Sequence, residues 1–272
     1  MNPPNSDSAF AGSIPQLYEQ YLVPLIFESY AADLSHRVSL RQPSCVLEMA
    51  AGTGVVTRRL ANTLPPTTSI VASDLNQSML DHAAEIGTAR PVVWQQADAM
   101  QLPFPDEAFD VVLCQFGAMF FPDKSRAFAE SRRVLRPGGL FLFNVWDRIG
   151  QNEFADAVTQ ALESLFPADP PRFMARVPHG YHDVSIIEKD LARGGFNRSL
   201  EVVTIAARSR ADSARIPAMA YCQGTPLRGE IEARGASRLV EATEFAEAAI
   251  VSRFGTGPVD GKIQAHIVAV ER

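Results

Sequence analysis

The chain predicts an α/β protein: a mostly parallel sheet of about seven strands with helices on both faces. Three observations carry this. Short apolar runs alternate with helical patterns between residues 45 and 146, proline or glycine turns separate them, and an acidic residue or a glycine turn closes several of the runs. At 272 residues, one large domain or one domain with an embellishment can bury its own core.

Each element has its own signal. "CVLEMA" reads as a buried strand, and "VVTRRLANTL" as a helix ended by Pro65-Pro66. "SIVASD" is the second strand, and "NQSMLDHAAEI" a helix with Asn76 as its cap. "PVVWQQAD" is the third strand and "FDVVLCQFG" the fourth. "KSRAFAESRRVL" is a helix, and Pro137-Gly138-Gly139 turns into a fifth strand, "LFLFNVW". Upstream, residues 1–13 are polar and proline-bearing and are expected to be disordered. Residues 14–40 hold two helices interrupted at Pro24. Beyond Trp146, residues 151–195 read as a helical insertion and 196–208 as a returning strand, "LEVVTIAA". Residues 209–256 are helical again, with Leu239, Thr243, Ala246 and Ile250 on one face, and 257–272 hold a final strand. The expected organisation is a core over 41–150, with the N-terminal helices and the two insertions gathered as a cap.

Composition excludes several classes. The formal charge of −6 disfavours nucleic acid, whose binders neutralise phosphates with a basic face. Arg132, Arg133 and Arg136 form the one basic cluster of note and read as the solvated end of a helix. No apolar run approaches the ~18 residues of a membrane span, and "MNPPNSDSAF" lacks the layout of a secretory signal. Cys45, Cys114 and Cys222 are dispersed, which suits reduced thiols in a cytoplasm rather than a disulfide frame or a metal site.

The informative stretch is "VLEMAAGTGVVT", because ligands of open α/β sheets bind beyond the carboxyl ends of strands. A dinucleotide turn wants G-x-G-x-x-G, but Thr57 holds the third glycine position and Glu48 stands at the mouth. Two phosphates would meet that carboxylate unfavourably. A cationic ligand without phosphates is attracted to it.

With "VASDLNQSML", "QQADAMQLPFPDEAFDVV" and "RRVLRPGGLFLFNVW" in the same order, residues 45–146 resemble a class I S-adenosylmethionine-dependent methyltransferase. The subgroup is the one that includes the ubiquinone/menaquinone-biosynthesis methyltransferases. The resemblance implies a Rossmann-like sheet, S-adenosyl-L-methionine as cofactor and S-adenosyl-L-homocysteine as product. It implies that Glu48 faces the methionine end while Gly52 and Gly54 admit the cofactor to the backbone. Ala50 stands where the family pattern has its first glycine. Asp74 would accept both ribose hydroxyls, Leu75 and Met79 would pack on adenine, and Asp98 would take the adenine amino group beside Ala99 and Met100. Gln115 and Phe116 would touch the methionine portion, and Tyr18 and Tyr21 would close over the cofactor. Asp74 as a helix cap, Asp98 as a loop residue and Glu48 as a structural carboxylate are the alternative readings.

Methyl transfer from a sulfonium is one displacement, so alignment and exclusion of water carry much of the acceleration. The candidate acid/base groups are His179, Tyr181 and His182 in "PHGYHD", against a solvated turn as the alternative. Candidate acceptor contacts are Phe120, Trp146, Gln223 and Arg228, the last equally readable as half of a salt pair. The chain lacks the Asn/Asp-Pro-Pro-aromatic run of many amino-methyltransferases after strand four. The expected acceptor is therefore a small aromatic or lipophilic metabolite, with carbon, oxygen and nitrogen all open. A catalytically silent cofactor-binding module and a protein or RNA methyltransferase stand as alternatives. A homodimer is an assembly this reading leaves open.

Overall fold

A computed structural model of the chain describes residues 7, 10, 12–235 and 237–272. Most of the segment expected to be disordered lies outside those residues. The first described helical run comprises α1 (Ile14–Leu17), a π-helical stretch over Tyr18–Phe27 and α2 (Glu28–Leu40). Two helices broken at Pro24 were expected. Instead Pro24 sits inside the π-helical stretch, where i→i+5 spacing relieves the clash of its ring with the carbonyl four residues back.

Strands and helices then alternate as predicted: β1 (Cys45–Met49), α3 (Val55–Thr63), β2 (Ser69–Asp74), α4 (Gln77–Ile86), β3 (Val93–Gln96), β4 (Phe109–Gln115), α5 (Lys124–Val134) and β5 (Leu135–Trp146). Beyond them come α6 (Glu153–Leu165), α7 (Phe173–Arg176), α8 (Val184–Arg193), β6 (Glu201–Ala211), α9 (Arg215–Gln223), α10 (Leu227–Glu232), α11 (Arg238–Phe254) and β7 (Val259–Glu271). The sheet order is β3-β2-β1-β4-β5-β7-β6. β1 pairs in parallel with β2 and β4, β2 with β3, and β4 with β5. β7 runs against β5, since Arg272 bonds Gly138 and Gly139 near the start of β5 and Gln264 bonds Asp147 past its end. Order reverses on either side of β1 and β4, which places the ligand crevice at their carboxyl ends.

Two local expectations are corrected. Asn76 holds the N-cap position of α4, but its side chain makes no cap bond and turns back to Asp74 Oδ1 at 3.3 Å. In α5 the cap is real, with the Asp123 carboxylate accepting from Arg126 N at 2.9 Å. The Pro137-Gly138-Gly139 segment lies within β5 rather than before it. The register slips there, from Phe109↔Leu135 to Val111↔Leu140, and Gly138 takes φ 76 in the resulting bulge.

The chain divides into two compact units, each taken by itself. A sheet unit comprises Glu28–Val145, Tyr181–Ile205 and Ala265–Arg272. A helical unit comprises the described residues of Met1–Phe27, with Trp146–Gly180 and Ala206–Gln264. In the helical unit, α11 buries Thr243, Ala246 and Ile250 as its periodicity predicts, while Leu239 is half-buried. No helix among the described residues is long and apolar enough to cross a membrane.

Within the sheet unit, Arg133 departs from its expected solvated role. It donates to Leu102 O at 3.0 Å, Phe104 O at 2.8 Å and the Asp106 and Glu130 carboxylates at 2.8 Å each. Glu130 in turn accepts from Leu102 N at 2.8 Å. A planar guanidinium satisfies several loop acceptors at once, so it organises the loop between β3 and β4. Arg136 pairs with Asp110 at 2.5 Å. Two of the three arginines of the apparent basic cluster, Arg133 and Arg136, are thus engaged with acidic partners. Replacing Arg133 with alanine is expected to lower stability by about 1–3 kcal/mol, since charged hydrogen bonds to part-buried acceptors are lost. It should also make residues 101–107 the first site of limited proteolysis, and urea denaturation with cleavage mapping checks both.

Candidate active site

The turn after β1 is built from three left-handed residues in alternate positions: Ala50 at φ 52, Gly52 at φ 56 and Gly54 at φ 84. A Cβ on Gly54 would approach the Trp94 ring to 3.0 Å, so glycine there answers both to conformation and to space. Ala50 occupies a conformation that costs a residue with a Cβ about 1–2 kcal/mol. Its methyl is accommodated because residue 117 is glycine, where an added Cβ would lie 2.4 Å from the Ala50 Cβ and 2.7 Å from Cys114 Sγ. The departure from the family's first glycine is therefore matched across the sheet by a second small residue, which sequence separation hid.

Asp74 ends β2 and is buried. One carboxylate oxygen accepts from Gly52 N at 2.9 Å, and the other from Asn76 N at 2.8 Å. Burial raises its pKa against the opposing pull of these N–H donors. The carboxylate thus latches the two loops together; Oδ1 also takes the Asn76 side-chain amide, while Oδ2 keeps acceptor capacity beyond its bond to Gly52 N. Glu48 is 1% exposed and accepts from Thr57 Oγ1 at 2.5 Å. Burial pushes its carboxyl up to about 8, opposed by the Thr57 hydroxyl and by Arg58. Thr57, noted in sequence only as a missing glycine, is the partner of that acid.

Strand parity gathers these groups. Glu48 pairs with Ala72 and with Leu113, and residues two apart on a strand share a face. Glu48, Asp74 and Gln115 therefore project from one face at the strand ends. Phe116 follows at φ 50, held by Asn144 Oδ1 accepting its N–H at 2.8 Å, with its ring edge-on to Tyr30 at 5.3 Å. Strained backbone of this kind concentrates at ligand sites. Three buried polar atoms here lack a hydrogen-bond partner among the described residues: Thr53 Oγ1, Gln115 Oε1 and Asn144 Nδ2. An uncompensated acceptor and donor beside a buried acidic pair fit a zwitterionic, cationic ligand, so the residues present suit S-adenosylmethionine. Neither Thr53 nor Asn144 carried a signal that sequence reasoning used.

Other expected contacts fall nearby in the sheet unit. Leu75 is 43% exposed beside Asp74, whereas Met79 is buried in α4. Asp98 does not close β3, which ends at Gln96. It is exposed in a turn, accepting from Met100 N at 2.8 Å and bridging to Gln101, with Ala99 and Met100 half-buried beside it. Phe120 ends a short 3-10 turn over Ala118–Phe120, which Lys124 Nζ holds through Met119 O at 3.3 Å and Phe121 O at 3.0 Å. Lys124 also lies 4.7 Å over the Tyr181 ring, and the Tyr181 hydroxyl donates to Asp190 at 2.9 Å. Burial and that carboxylate raise the Tyr181 pKa.

The "PHGYHD" residues divide between the two units. His179 belongs to the helical unit, while Tyr181 and half-buried His182 belong to the sheet unit. His179 is buried with Nδ1 2.9 Å from Asp147 O. In the helical unit the rings of Tyr18, Phe27, Trp146 and His179 follow one another at centroid distances of 5.1, 6.1 and 6.1 Å, and Tyr21 is half-buried. Gln223 donates to Thr243 at 3.1 Å, and Arg228 pairs with Glu232 at 2.8 Å and reaches Ser13 at 2.9 Å. Arg228 is thus engaged in the salt pair that was its alternative reading.

Two expected outcomes follow from this geometry. Ala50→Gly should raise stability by about 1 kcal/mol by relieving the left-handed residue, and Gly117→Ala should lower it. The double variant should recover part of that loss, since one of the two obstructing groups is gone, and a double-mutant cycle in urea reads the coupling. The second concerns pH. A carboxyl whose folded pKa is raised contributes stability that is full below its unfolded value and is lost as pH rises through the folded one. Glu48 should thus cost the unliganded protein about 1.4 kcal/mol or more between pH 5 and 9, and Asp74 acts with the same sign. Glu48→Gln should flatten that fall in urea midpoints.

The methyltransferase domain family matches residues 47–143. The ubiquinone/menaquinone biosynthesis C-methyltransferase of Saccharophagus degradans is 40% identical over 121 residues, a match that spans 43% of this chain and about half, 47%, of that relative. The corresponding protein of Ectopseudomonas mendocina is 32% identical over 186 residues, 64% of this chain and 72% of that one. A putative methyltransferase from Bacillus halodurans superposes with a TM-score of 0.57 at 21% identity, covering 89% of this chain and 98% of that structure, which shows the shared fold. With the strand order and the acidic glycine turn, these likenesses establish that the chain belongs to the class I S-adenosylmethionine-dependent methyltransferases, in the ubiquinone/menaquinone-biosynthesis methyltransferase-like subgroup.

Proposed function

We propose that the chain transfers a methyl group from S-adenosylmethionine to a carbon of a small, lipophilic aromatic acceptor. The observation that carries the cofactor half is the buried pair Glu48 and Asp74 on one strand-end face, around a turn whose glycines admit close approach. The bound cofactor supplies an electrophilic methyl on a sulfonium. Asp74 Oδ2 offers its remaining lone pair to ribose, Glu48 ionises as the cationic end arrives beside it, and exposed Leu75 offers adenine an apolar surface.

The acceptor half rests on two supports. The relatives are named as C-methyltransferases, and the helical unit presents a run of planar rings through Tyr18, Phe27, Trp146 and His179. A ring carbon becomes nucleophilic when an adjoining hydroxyl loses its proton, and a base assists that loss. His179 suits this role. A carbonyl only accepts, so the bond to Asp147 O places the ring proton on Nδ1 and makes Nε2 the basic nitrogen of the neutral ring. Free Cys45, Cys114 and Cys222 support action in the reducing cytoplasm, and the charge of −6 supports the absence of a nucleic-acid partner. Assembly as a homodimer is the part of this reading left for sedimentation to decide.

The test incubates the protein with methyl-labelled cofactor, lipophilic quinols, cellular protein and RNA, then fractionates the mixture and locates the label by NMR. Label on a ring carbon is the expected result. Label on protein or RNA, or on oxygen or nitrogen, would overturn the acceptor assignment. Separately, Asp74→Ala should weaken S-adenosylhomocysteine binding at least tenfold, about 1.4 kcal/mol. Unchanged affinity in calorimetry would remove Asp74 from the site.

A further inference from the structure

α5 begins on Lys124, so the chain seats an ammonium at the positive end of a helix dipole, where a cation is disfavoured. The side chain is also half-buried, and burial lowers its pKa against the pull of the Asp190 carboxylate. Its contacts offset both effects. Lys124 Nζ donates to Met119 O at 3.3 Å and Phe121 O at 3.0 Å, and it lies 4.7 Å over the centre of the Tyr181 ring. That ring is itself anchored. The Tyr181 hydroxyl donates to one Asp190 oxygen at 2.9 Å, and Ser125 Oγ donates to the other at 3.4 Å. α5 and the end of α8 approach so closely that a Cβ on Gly194 would lie 2.8 Å from Phe128 Cβ.

The carbonyls that receive Lys124 belong to the 3-10 turn over Ala118–Phe120 and to the residue after it. This turn leaves the carboxyl end of β4, where the crevice of an open sheet lies. At its other end Gly117 packs on Ala50 of the turn after β1. A three-residue turn has little hold of its own. Its internal bonds are Phe120 N to Gly117 O at 2.9 Å and Phe121 N to Ala118 O at 3.3 Å. Ala118, Met119 and Phe121 are buried whereas Phe120 is half-buried, so Phe120 is the side chain of this turn that a ligand can reach. We infer that Lys124 is a positioning residue for the methyl acceptor, fixing the turn after β4 so that Phe120 stands as a wall of the acceptor site. This rests on the acceptor reading above and adds to it a residue that itself touches no substrate. It also gives Tyr181 a task other than acid/base chemistry, since its ring carries the ammonium and its hydroxyl is engaged by Asp190.

The experiment compares wild type with Lys124→Met and Lys124→Arg by amide hydrogen exchange, calorimetry with S-adenosylhomocysteine, and methyl transfer to decylhydroquinone. Methionine has no donor, whereas arginine keeps a cation that can donate to both carbonyls and lie on the ring. If the methionine variant does not fold, Lys124→Gln, an uncharged donor of shorter reach, carries the test. In Lys124→Met the Phe120 and Phe121 amides are expected to exchange about tenfold faster, with those of Val112 and Leu113 in β4 unchanged. KM for the quinol should rise about tenfold while S-adenosylhomocysteine binds within about twofold of wild type. Lys124→Arg should recover most of both losses. Unchanged exchange at the turn would overturn the assignment, and so would equal acceleration in β4, which marks a loss of overall stability. A loosened turn with the quinol KM unmoved would overturn it too, as would a loss of cofactor affinity as large as that for the quinol. A wild type that transfers no methyl to the quinol, while its turn still depends on Lys124, would instead overturn the acceptor reading on which the inference stands.

Discussion

The structure of the site depends on one buried carboxylate, that of Asp74. An ionised group out of water is costly unless its oxygens are hydrogen-bonded. Here the oxygens receive the N–H of Gly52 from the loop after β1 and the N–H of Asn76 from the loop after β2. One side chain therefore ties two loops to the end of the sheet. The alternating left-handed geometry of Ala50, Gly52 and Gly54 follows, because the chain must fold back tightly to bring Gly52 N to that oxygen. Asn76 is drawn the same way, which is why it serves Asp74 rather than capping its helix.

Around this latch the protein separates satisfied groups from unsatisfied ones. Arg133, Arg136 and Tyr181 carry charge or polarity into the sheet unit, and each is matched by carboxylates or carbonyls. These residues set loops in place. Thr53, Gln115 and Asn144 are buried with an atom left over, and they sit at the strand ends or in the glycine turn. The Glu48–Thr57 pair lies between the two kinds, because its acid is kept near neutrality by burial and is responsive to an arriving positive charge.

In the helical unit, taken by itself, the chemistry is aromatic. Tyr18 stacks on Phe27 with planes 24° apart, and Trp146 stands between Phe27 and His179. Polar side chains that sequence alone would offer as acceptor contacts, Gln223 and Arg228, are instead engaged with Thr243, Glu232 and Ser13. Long polar side chains on helices find local partners readily, so their presence in a sequence says little about ligands.

Much of the fold was legible from sequence because its signals are local. The strand from Ser69 to Asp74, the helix that starts after Gly54 and the buried face through Thr243, Ala246 and Ile250 each follow from periodicity and turn chemistry within a dozen residues. The acidic groups Glu48 and Asp74 were legible for the same reason, as carboxylates closing apolar strands. Pro24 and the Pro137-Gly138-Gly139 bulge were misread because a π-helical register and a β-bulge absorb residues that local rules treat as breaks. The sequence by itself therefore determined the order of elements, the acidic glycine turn and the family. Only the tertiary structure decided that Gly117 makes room for Ala50, that Thr57 serves Glu48, that His179 and Tyr181 have separate partners, and that Asn144 faces Gln115 with a donor to spare. Some of those relations join residues far apart in the chain and others, Glu48 with Thr57 and Tyr181 with Asp190, join residues nine apart, but each hydrogen bond or van der Waals gap is fixed by distance in space, which no local pattern encodes.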